Sequence, residues 1–447
     1  MLDSSPEPAP TKAGFPPLDE PYEPGGRLDM KALIAVEARF ARTPDGAIWT
    51  REGPGYGFFT RYLSAFAEVV VLARVAEVPS MPPDSHRVDG HRVLVRPIPH
   101  YLGPWQYVRR RAAVVRALRD ADDPHAVLIL RAPTVLGSLL AAARERSGLP
   151  YAVEVMADPY TVYAPGVVSH PLRPWLRWRH TTLLRHQCRT AVGVSYVTER
   201  YLQRRYPAGK NAVTAAYSSV ELPPDAFVTE PPQLVQRDEY VVVSVGSLEM
   251  LYKGIDTLIM ALARLVAAGL PVRCVHLGTG RQQARLEQLA TQLGVRHRIE
   301  FVGSVPAGAQ VRRYLDQADL FAMPSRTEGL PKALVEAMAR GLPAVGSSVG
   351  GIPELLASQD IVAPDDHVAL ADAIGRLLNE PARRAQASAR NLTRARDFSE
   401  EALRRRRDVF YRSLRDTTAN GHGSSDQRRT RETSRRGAST VSTSKGK

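Results

Sequence analysis

Two carboxylates stand eight residues apart in the stretch SRTEGLPKALVEAMARGLPAV, at Glu328 and Glu336. Glu336 falls among Leu334, Val335, Ala337, Met338 and Ala339, an apolar run in which an ionised group loses hydration unless something pairs with it. Pro331 suits a first helical turn, and Gly341 with Pro343 suits a stop, so a helix is predicted to begin just after Glu328. At about 100° per residue, Glu336 would lie roughly 80° around from Glu328 and about two turns deeper. A helix start offers unpaired N–H groups and partial positive charge to a phosphate. Carboxylates accept hydrogen bonds from vicinal hydroxyls. These features suit one elongated ligand that carries both phosphate and sugar hydroxyls.

The elements that must hold such a site alternate along the chain. In the first half, strands read from KALIAVEARF, EVVVLARV, HRVLVRPI, AVLILRAP, YAVEVMA and TAVGVSYVT. Helical patterns fall at TRYLSAFAE, WQYVRRRAAVVRALRD and TVLGSLLAAARERS. Residues 221–238 hold four prolines and read as a linker, after which the alternation restarts at YVVVSVG. Short β-branched runs separated by helices predict parallel sheets covered on both faces. Two such α/β domains leave a cleft between the carboxyl ends of their strands, where ligands of these sheets bind. The expected divisions are a disordered N-terminus over 1–28, an N-terminal domain over 29–220, the linker over 221–238 and a C-terminal domain over 239–395. A C-terminal helix over 396–415 and a disordered basic tail over 416–447 complete the chain.

Four stretches in the second half, in this order, resemble retaining glycosyltransferases of the GT-B fold, especially family 4 (glycosyl transferases group 1). They are VVSVGSLEMLYKGIDTLIMAL, VHLGTG, IEFVGSV and FAMPSRTEGLPKALVEAMARGLPAVGSSVGGIPEL, the last containing the E-x7-E motif of Glu328 and Glu336. The match is strong over about residues 240–360 and architectural elsewhere. It implies two Rossmann-like α/β domains facing across a cleft. It also implies a nucleotide-diphosphate sugar donor held mainly by the C-terminal domain, with no metal or other cofactor. Glu336 would accept from the ribose hydroxyls and Glu328 from hydroxyls of the transferred sugar. The amides of Gly329 and Leu330 would meet the diphosphate, Lys253 would neutralise it as it leaves, and Val305 would border the base. At the strand end, Gly246 is followed by Ser247 where the family usually has arginine. One bidentate phosphate clamp is therefore missing, and Arg326 is the candidate replacement. For the family's favoured front-face attack, catalysis is positioning plus charge stabilisation.

In the first half, Gly53, Gly55 and Gly57 punctuate the loop TREGPGYGFFTRYL, where positive φ or close approach to a ligand would need glycine. The resemblance sends this loop, and Gly55 in it, toward donor phosphate or acceptor. Asp158 in VEVMADPY closes a strand at the cleft edge, with Glu154 near it, where the family often has a histidine touching sugar and acceptor. A catalytic role for Asp158 competes with a plain N-cap. Asp120-Ala121-Asp122 spells D-x-D in the wrong place for a metal site.

Net charge is +14, and eight arginines against Glu199 alone crowd Pro171 to Tyr206. Trp175 and Trp178 among Arg173, Arg177 and Arg179 suit an anionic membrane surface met by residues 171–189. The alternative there is a core helix with an arginine-coated outer face. There is no run of about 18 apolar residues and no signal-peptide pattern. Cys188 and Cys274 suggest inert thiols, so the expected setting is cytoplasmic, with peripheral contact at the inner leaflet. The expected acceptor is a glycan, glycolipid or lipid-linked molecule. A GT-B-like nucleotide-sugar 2-epimerase is the alternative enzyme and would consume donor without added acceptor. A nucleic-acid binder would show steep salt dependence, but no reader motif supports one, and no nucleic-acid partner is expected.

Overall fold

The β-branched runs pair as their burial requires, and the computed structural model contains two mostly parallel sheets with apolar clusters packed on both faces. It describes residues 30–439 apart from 52, 165–166, 169, 221 and 234–236. The stretch expected to be disordered over 1–28 therefore lies outside the described residues.

The first sheet comprises β1 (Lys31–Arg42), β2 (Ile48–Thr50), β3 (Glu68–Glu77), β4 (His86–Arg87), β5 (Val93–Pro99), β6 (Val127–Ala132), β7 (Ala152–Val155), β8 (Gly193–Tyr196) and β9 (Val213–Ala216). Its parallel order is β5-β3-β1-β6-β7-β8-β9, with the short β2 antiparallel to β1 and the short β4 antiparallel to β2. The second sheet comprises β10 (Tyr240–Val245), β11 (Val272–Leu277), β12 (Ile299–Gly303), β13 (Leu320–Met323), β14 (Ala344–Ser347) and β15 (Ile361–Val362). All its pairs are parallel, in the order β12-β11-β10-β13-β14-β15. Strand order thus runs outward in both directions from β10 and β13. That is the doubly wound pattern, with its crevice at the carboxyl ends of these two neighbours.

One apolar cluster is continuous between the domains. It joins Val69, Phe59 and Tyr62 through Tyr217, Leu222 and Phe398 to Leu334 and Met338.

Several sequence expectations are corrected. TRYLSAFAE is not an α-helix: only Thr60–Ser64 turns, as a 3-10 segment, because Tyr62, Ala65 and Phe66 are all buried directly before β3 begins. The strands β2, β4 and β9 are too short to show alternation. Helix Pro381–Ala395 is also unread in the sequence, since it buries Arg384, Ser388 and Asn391 along with few apolar side chains. The final helix, Glu400–Ser439, runs through position 416, where disorder was expected. It buries Phe410, Tyr411 and Leu414 with β9 of the N-terminal domain, and Thr418 Oγ1 donates to the Leu414 carbonyl at 2.9 Å. Helix propagation from a packed segment adds one backbone bond for each residue fixed, so the helix continues past the polar boundary.

Candidate active site

Lys253 is carried on the 3-10 turn Leu251–Lys253, shortly after β10, and Glu328 on the loop after β13. The two side chains therefore meet at the reversal of strand order. Lys253 Nζ donates to Glu328 Oε1 at 2.7 Å, and Ser325 Oγ donates to the same oxygen at 2.7 Å. Both charges are largely buried, with side-chain exposures of 17 % and 9 %. The lysine stem lies over Gly246, where a Cβ would stand 3.1 Å from three of its carbons. Gly254 permits the tight turn: its φ is +68°, and a Cβ would sit 2.0 Å from the Pro324 carbonyl oxygen.

Arg326 binds these two loops together. Its guanidinium bonds both oxygens of Asp256, at 3.0 and 2.9 Å, donates to Asp365 at 2.6 Å and reaches the Leu251 carbonyl. Its amide donates to the Tyr252 carbonyl at 2.7 Å. The expectation that Arg326 replaces the missing phosphate clamp is therefore corrected, because its donors are spent on protein acceptors. Ser247 does not replace it either: its Oγ accepts the Glu249 amide at 3.2 Å as an uncharged turn cap.

Glu336 sits on helix Lys332–Ala339, between buried Val335 and Ala337. The N-cap is Pro331 and not a residue of the first turn, so Glu328 stands outside the helix. The 80° relation expected from helical geometry therefore does not apply, and the loop sets how the two carboxylates face each other. The half-buried Glu336 carboxylate has no hydrogen bond or ion pair among the described residues. Burial raises its pKa above the usual carboxylate value, against the opposing influence of Lys332 and Arg312. A half-desolvated acceptor without a partner is what a hydroxyl-bearing ligand would satisfy.

Gly329 and Leu330 keep their amides out of the backbone bonding among the described residues, while the Gly329 carbonyl accepts from Gly351 at 2.7 Å. Gly350, at φ +55°, fits beneath the Glu328 carbonyl, where a Cβ would be 2.1 Å from the oxygen. Val305 and Leu330 are half-buried against the shared apolar cluster.

The N-terminal expectations fare differently. Asp158 is buried and fully engaged, so its catalytic assignment is corrected. It caps Pro159–Val162 through the Tyr160 amide at 2.9 Å, accepts from the Tyr201 and Tyr206 hydroxyls, and pairs with Arg205 at 3.2 Å. Glu154 is equally occupied, accepting from the hydroxyls of Tyr62, Tyr217 and Tyr411 at 2.9–3.0 Å. Gly55 has φ −89°, so positive φ does not explain it. A Cβ there would stand 3.2 Å from the Arg87 carbonyl, within its own domain. Asp122 pairs with the buried Arg144 at 2.6 Å and is structural.

Some positions went unread. Ser325 and Glu354 lie inside quoted motif stretches but carry no signal of their own partners. His276 is buried beneath the site, its Nδ1 2.7 Å from Ser244 Oγ and its Nε2 3.0 Å from the Gly246 carbonyl oxygen.

Comparison with known proteins agrees with this geometry. Residues 229–394 match the model of the family Glycosyl transferases group 1. Protein CapJ of Staphylococcus aureus is 24 % identical over 330 residues, spanning 72 % of this chain and 81 % of that protein. The putative colanic acid biosynthesis glycosyltransferase WcaL of Salmonella typhimurium is 35 % identical over 165 residues, 34 % of this chain and 40 % of that protein. Other curated relatives likewise align over only 27–40 % of their own length. Sucrose-phosphate synthase from Thermosynechococcus elongatus superposes with a TM-score of 0.63 at 20 % identity, over 86 % of this chain and 99 % of that one. Anabaena HepE, solved with UDP and glucose, gives 0.57 at 18 % identity over 88 % and 99 %.

Fold and site together define a GT-B architecture with its candidate chemistry at the C-terminal switch point. Residues 229–394 match the glycosyl transferases group 1 domain, and WcaL, named a putative glycosyltransferase, aligns with this chain over 165 residues.

Proposed function

We propose that this chain is a glycosyltransferase that acts with retention, moving a sugar from a nucleotide-diphosphate sugar to a glycan, glycolipid or lipid-linked acceptor. The observation that carries the proposal is the buried Lys253–Glu328 pair at the strand-order reversal, followed by the unpartnered Glu336 on the next helix. An ammonium at that point neutralises charge that grows on a departing diphosphate. Glu328, fixed by Lys253 and Ser325, is an oriented acceptor for sugar hydroxyls, and Glu336 serves the ribose. Neither Asp158 nor Glu154 is free to act as a base, which favours proton transfer to the leaving diphosphate itself. No metal or other cofactor enters this scheme. The UDP bound to HepE supports a nucleotide donor, and the colanic acid role in WcaL's name supports a polysaccharide setting.

The acceptor reading draws on helix Arg173–Thr190. Its inner face buries Leu184 and Cys188, while Leu172, Trp175 and Trp178 are 50–66 % exposed around it. The buried face fits the core-helix reading and the exposed tryptophan-bearing face supports the membrane reading, so the two readings are compatible on one helix. Arg177 is tied to the Tyr160 carbonyl at 2.7 Å and Arg173 to that of Tyr163 at 3.1 Å, so the tryptophans are the cleaner probes of membrane contact.

The deciding experiment is a thermal-shift screen of UDP-, GDP- and ADP-sugars, followed by NMR of the product's anomeric configuration. A donor at 100 times its Kd adds about 2.7 kcal/mol of stability. Retention of the donor's anomeric configuration is expected. Inversion would overturn the mechanism, and donor turnover without any acceptor would move the assignment to an epimerase.

A further inference from the structure

A cavity of about 760 Å³ between the two domains is lined by neither Lys253 nor Glu328 and has no part in the scheme above. Arg185, Arg200, Arg204 and Arg205 line it from the N-terminal domain, and Arg394 and Glu354 from the C-terminal domain. Most acidic groups nearby are already committed. Glu354 accepts the backbone amides of Glu199, Arg200 and Tyr201 at 2.6, 2.9 and 2.6 Å. Glu199 pairs with Arg394 at 2.9 Å, and Asp158 with Arg205 at 3.2 Å.

Three guanidinium groups remain without a carboxylate among the described residues. Arg185 spends only Nε, on the Arg205 carbonyl at 3.1 Å, and the exposed side chains of Arg200 and Arg204 make no hydrogen bond or ion pair among the described residues. Arg200 and Arg204 are four residues apart at and beyond the start of helix Tyr201–Arg205, where like charges repel. An anion between them removes that cost, and a guanidinium fork fits phosphate oxygens in pairs. A cavity of this size holds a phosphoryl group together with part of the molecule bearing it.

The cavity also adjoins the donor loop. Gly350 forms part of its wall and lies directly beneath the Glu328 carbonyl. We propose that the cavity binds the phosphoryl group of a phosphorylated acceptor, a group left intact by the transfer, and so holds the acceptor beside the donor sugar. This rests on the glycosyltransferase reading above. Because both domains supply its walls, the site is complete only when they are apposed as here.

The test is calorimetric titration of inorganic phosphate into the full chain, with and without a saturating nucleoside diphosphate, for wild type and the double variant Arg200→Gln/Arg204→Gln. Phosphate is expected to bind wild type in both conditions, and roughly tenfold or more weakly to the variant, while nucleotide affinity stays unchanged. No phosphate binding, undiminished binding in the variant, or displacement by the nucleotide would each overturn the site. Failure of the nucleotide alone to bind would instead strike the donor reading and leave the phosphate result standing. In a second arm, a sugar phosphate and a short isoprenyl phosphate compete with inorganic phosphate. Tighter binding of either supports an acceptor site and identifies its class, whereas binding of both no tighter than phosphate would overturn the acceptor assignment.

Discussion

Glu336 is the residue on which stability and function oppose each other. Its carboxylate is half-buried, has no partner among the described residues, and is pushed toward protonation by burial. In the free protein it therefore costs stability that a bound ribose would offset. Glu336→Gln should fold at least as stably as wild type, because the buried charge is gone. It should nevertheless bind the free nucleoside diphosphate more weakly, since hydrogen bonds to a charged group are worth roughly 1.5–3 kcal/mol each. Calorimetry of the nucleotide beside a urea melt reads both quantities. Wild-type affinity in the variant would remove Glu336 from the donor site. Glu328 differs, because Lys253 and Ser325 already compensate its charge in the absence of ligand.

At the level of elements, the site depends on how two turns are held together. Arg326 joins the turn carrying Lys253 to the loop carrying Glu328 through Asp256, Asp365 and two backbone carbonyls. Arg326→Met should lower kcat more than nucleotide affinity, because the lysine's position matters most when charge builds on the leaving group. Steady-state kinetics with nucleotide titration separate the two, and an equal loss in both would mean that Arg326 contacts the donor itself. Beneath the site, His276 links β10 and β11, and its pKa is lowered to about 4 by burial. With an unfolded value near 6.5, the unfolded chain binds more protons between about pH 6.5 and 4. The stability from neutral His276 is therefore present above that window and lost as pH falls through it. Urea midpoints should drop less on acidification in His276→Gln than in wild type, and parallel slopes would show that the histidine is not held neutral. Much of this was legible beforehand: β-branched runs marked the main strands, and motif spacing marked Lys253, Glu328 and Glu336. Arg326 was misassigned because an arginine beside a phosphate motif looks the same in sequence whether Asp256, seventy positions away, occupies it or not. For Asp158 the N-cap reading holds and the catalytic one fails for a similar reason, since the tyrosines that occupy it lie more than forty residues further on.

Across the whole molecule, the chain passes between domains twice, and the two passages touch. Leu222 bridges Ser399 in parallel, and the Glu400 amide donates to the Leu222 carbonyl at 3.1 Å. The second passage leads into helix Glu400–Ser439, which returns to the N-terminal sheet, so that domain is completed by residues from the far end of the sequence. Phe410, Tyr411 and Leu414 are buried there, and the Tyr411 hydroxyl donates to the buried Glu154 at 2.9 Å. Two truncations should therefore behave oppositely. Ending the chain after residue 419 keeps all these contacts, including the Thr418 bond to Leu414, and should leave the melting temperature and donor binding unchanged. Ending it after Asp408 removes three core side chains, each worth roughly 2–5 kcal/mol. It also takes one hydroxyl from a buried carboxylate, at a further cost of about 1–3 kcal/mol. At roughly 2–4 °C per kcal/mol for a domain of this size, the melting temperature should fall by about 14 °C or more. The N-terminal transition should carry the loss, while the C-terminal domain keeps its own sheet and its nucleotide site. Differential scanning calorimetry with and without nucleoside diphosphate resolves the two transitions. A shorter chain that melts with the longer one would show that the returning helix is an appendage and that the N-terminal domain is complete by residue 220.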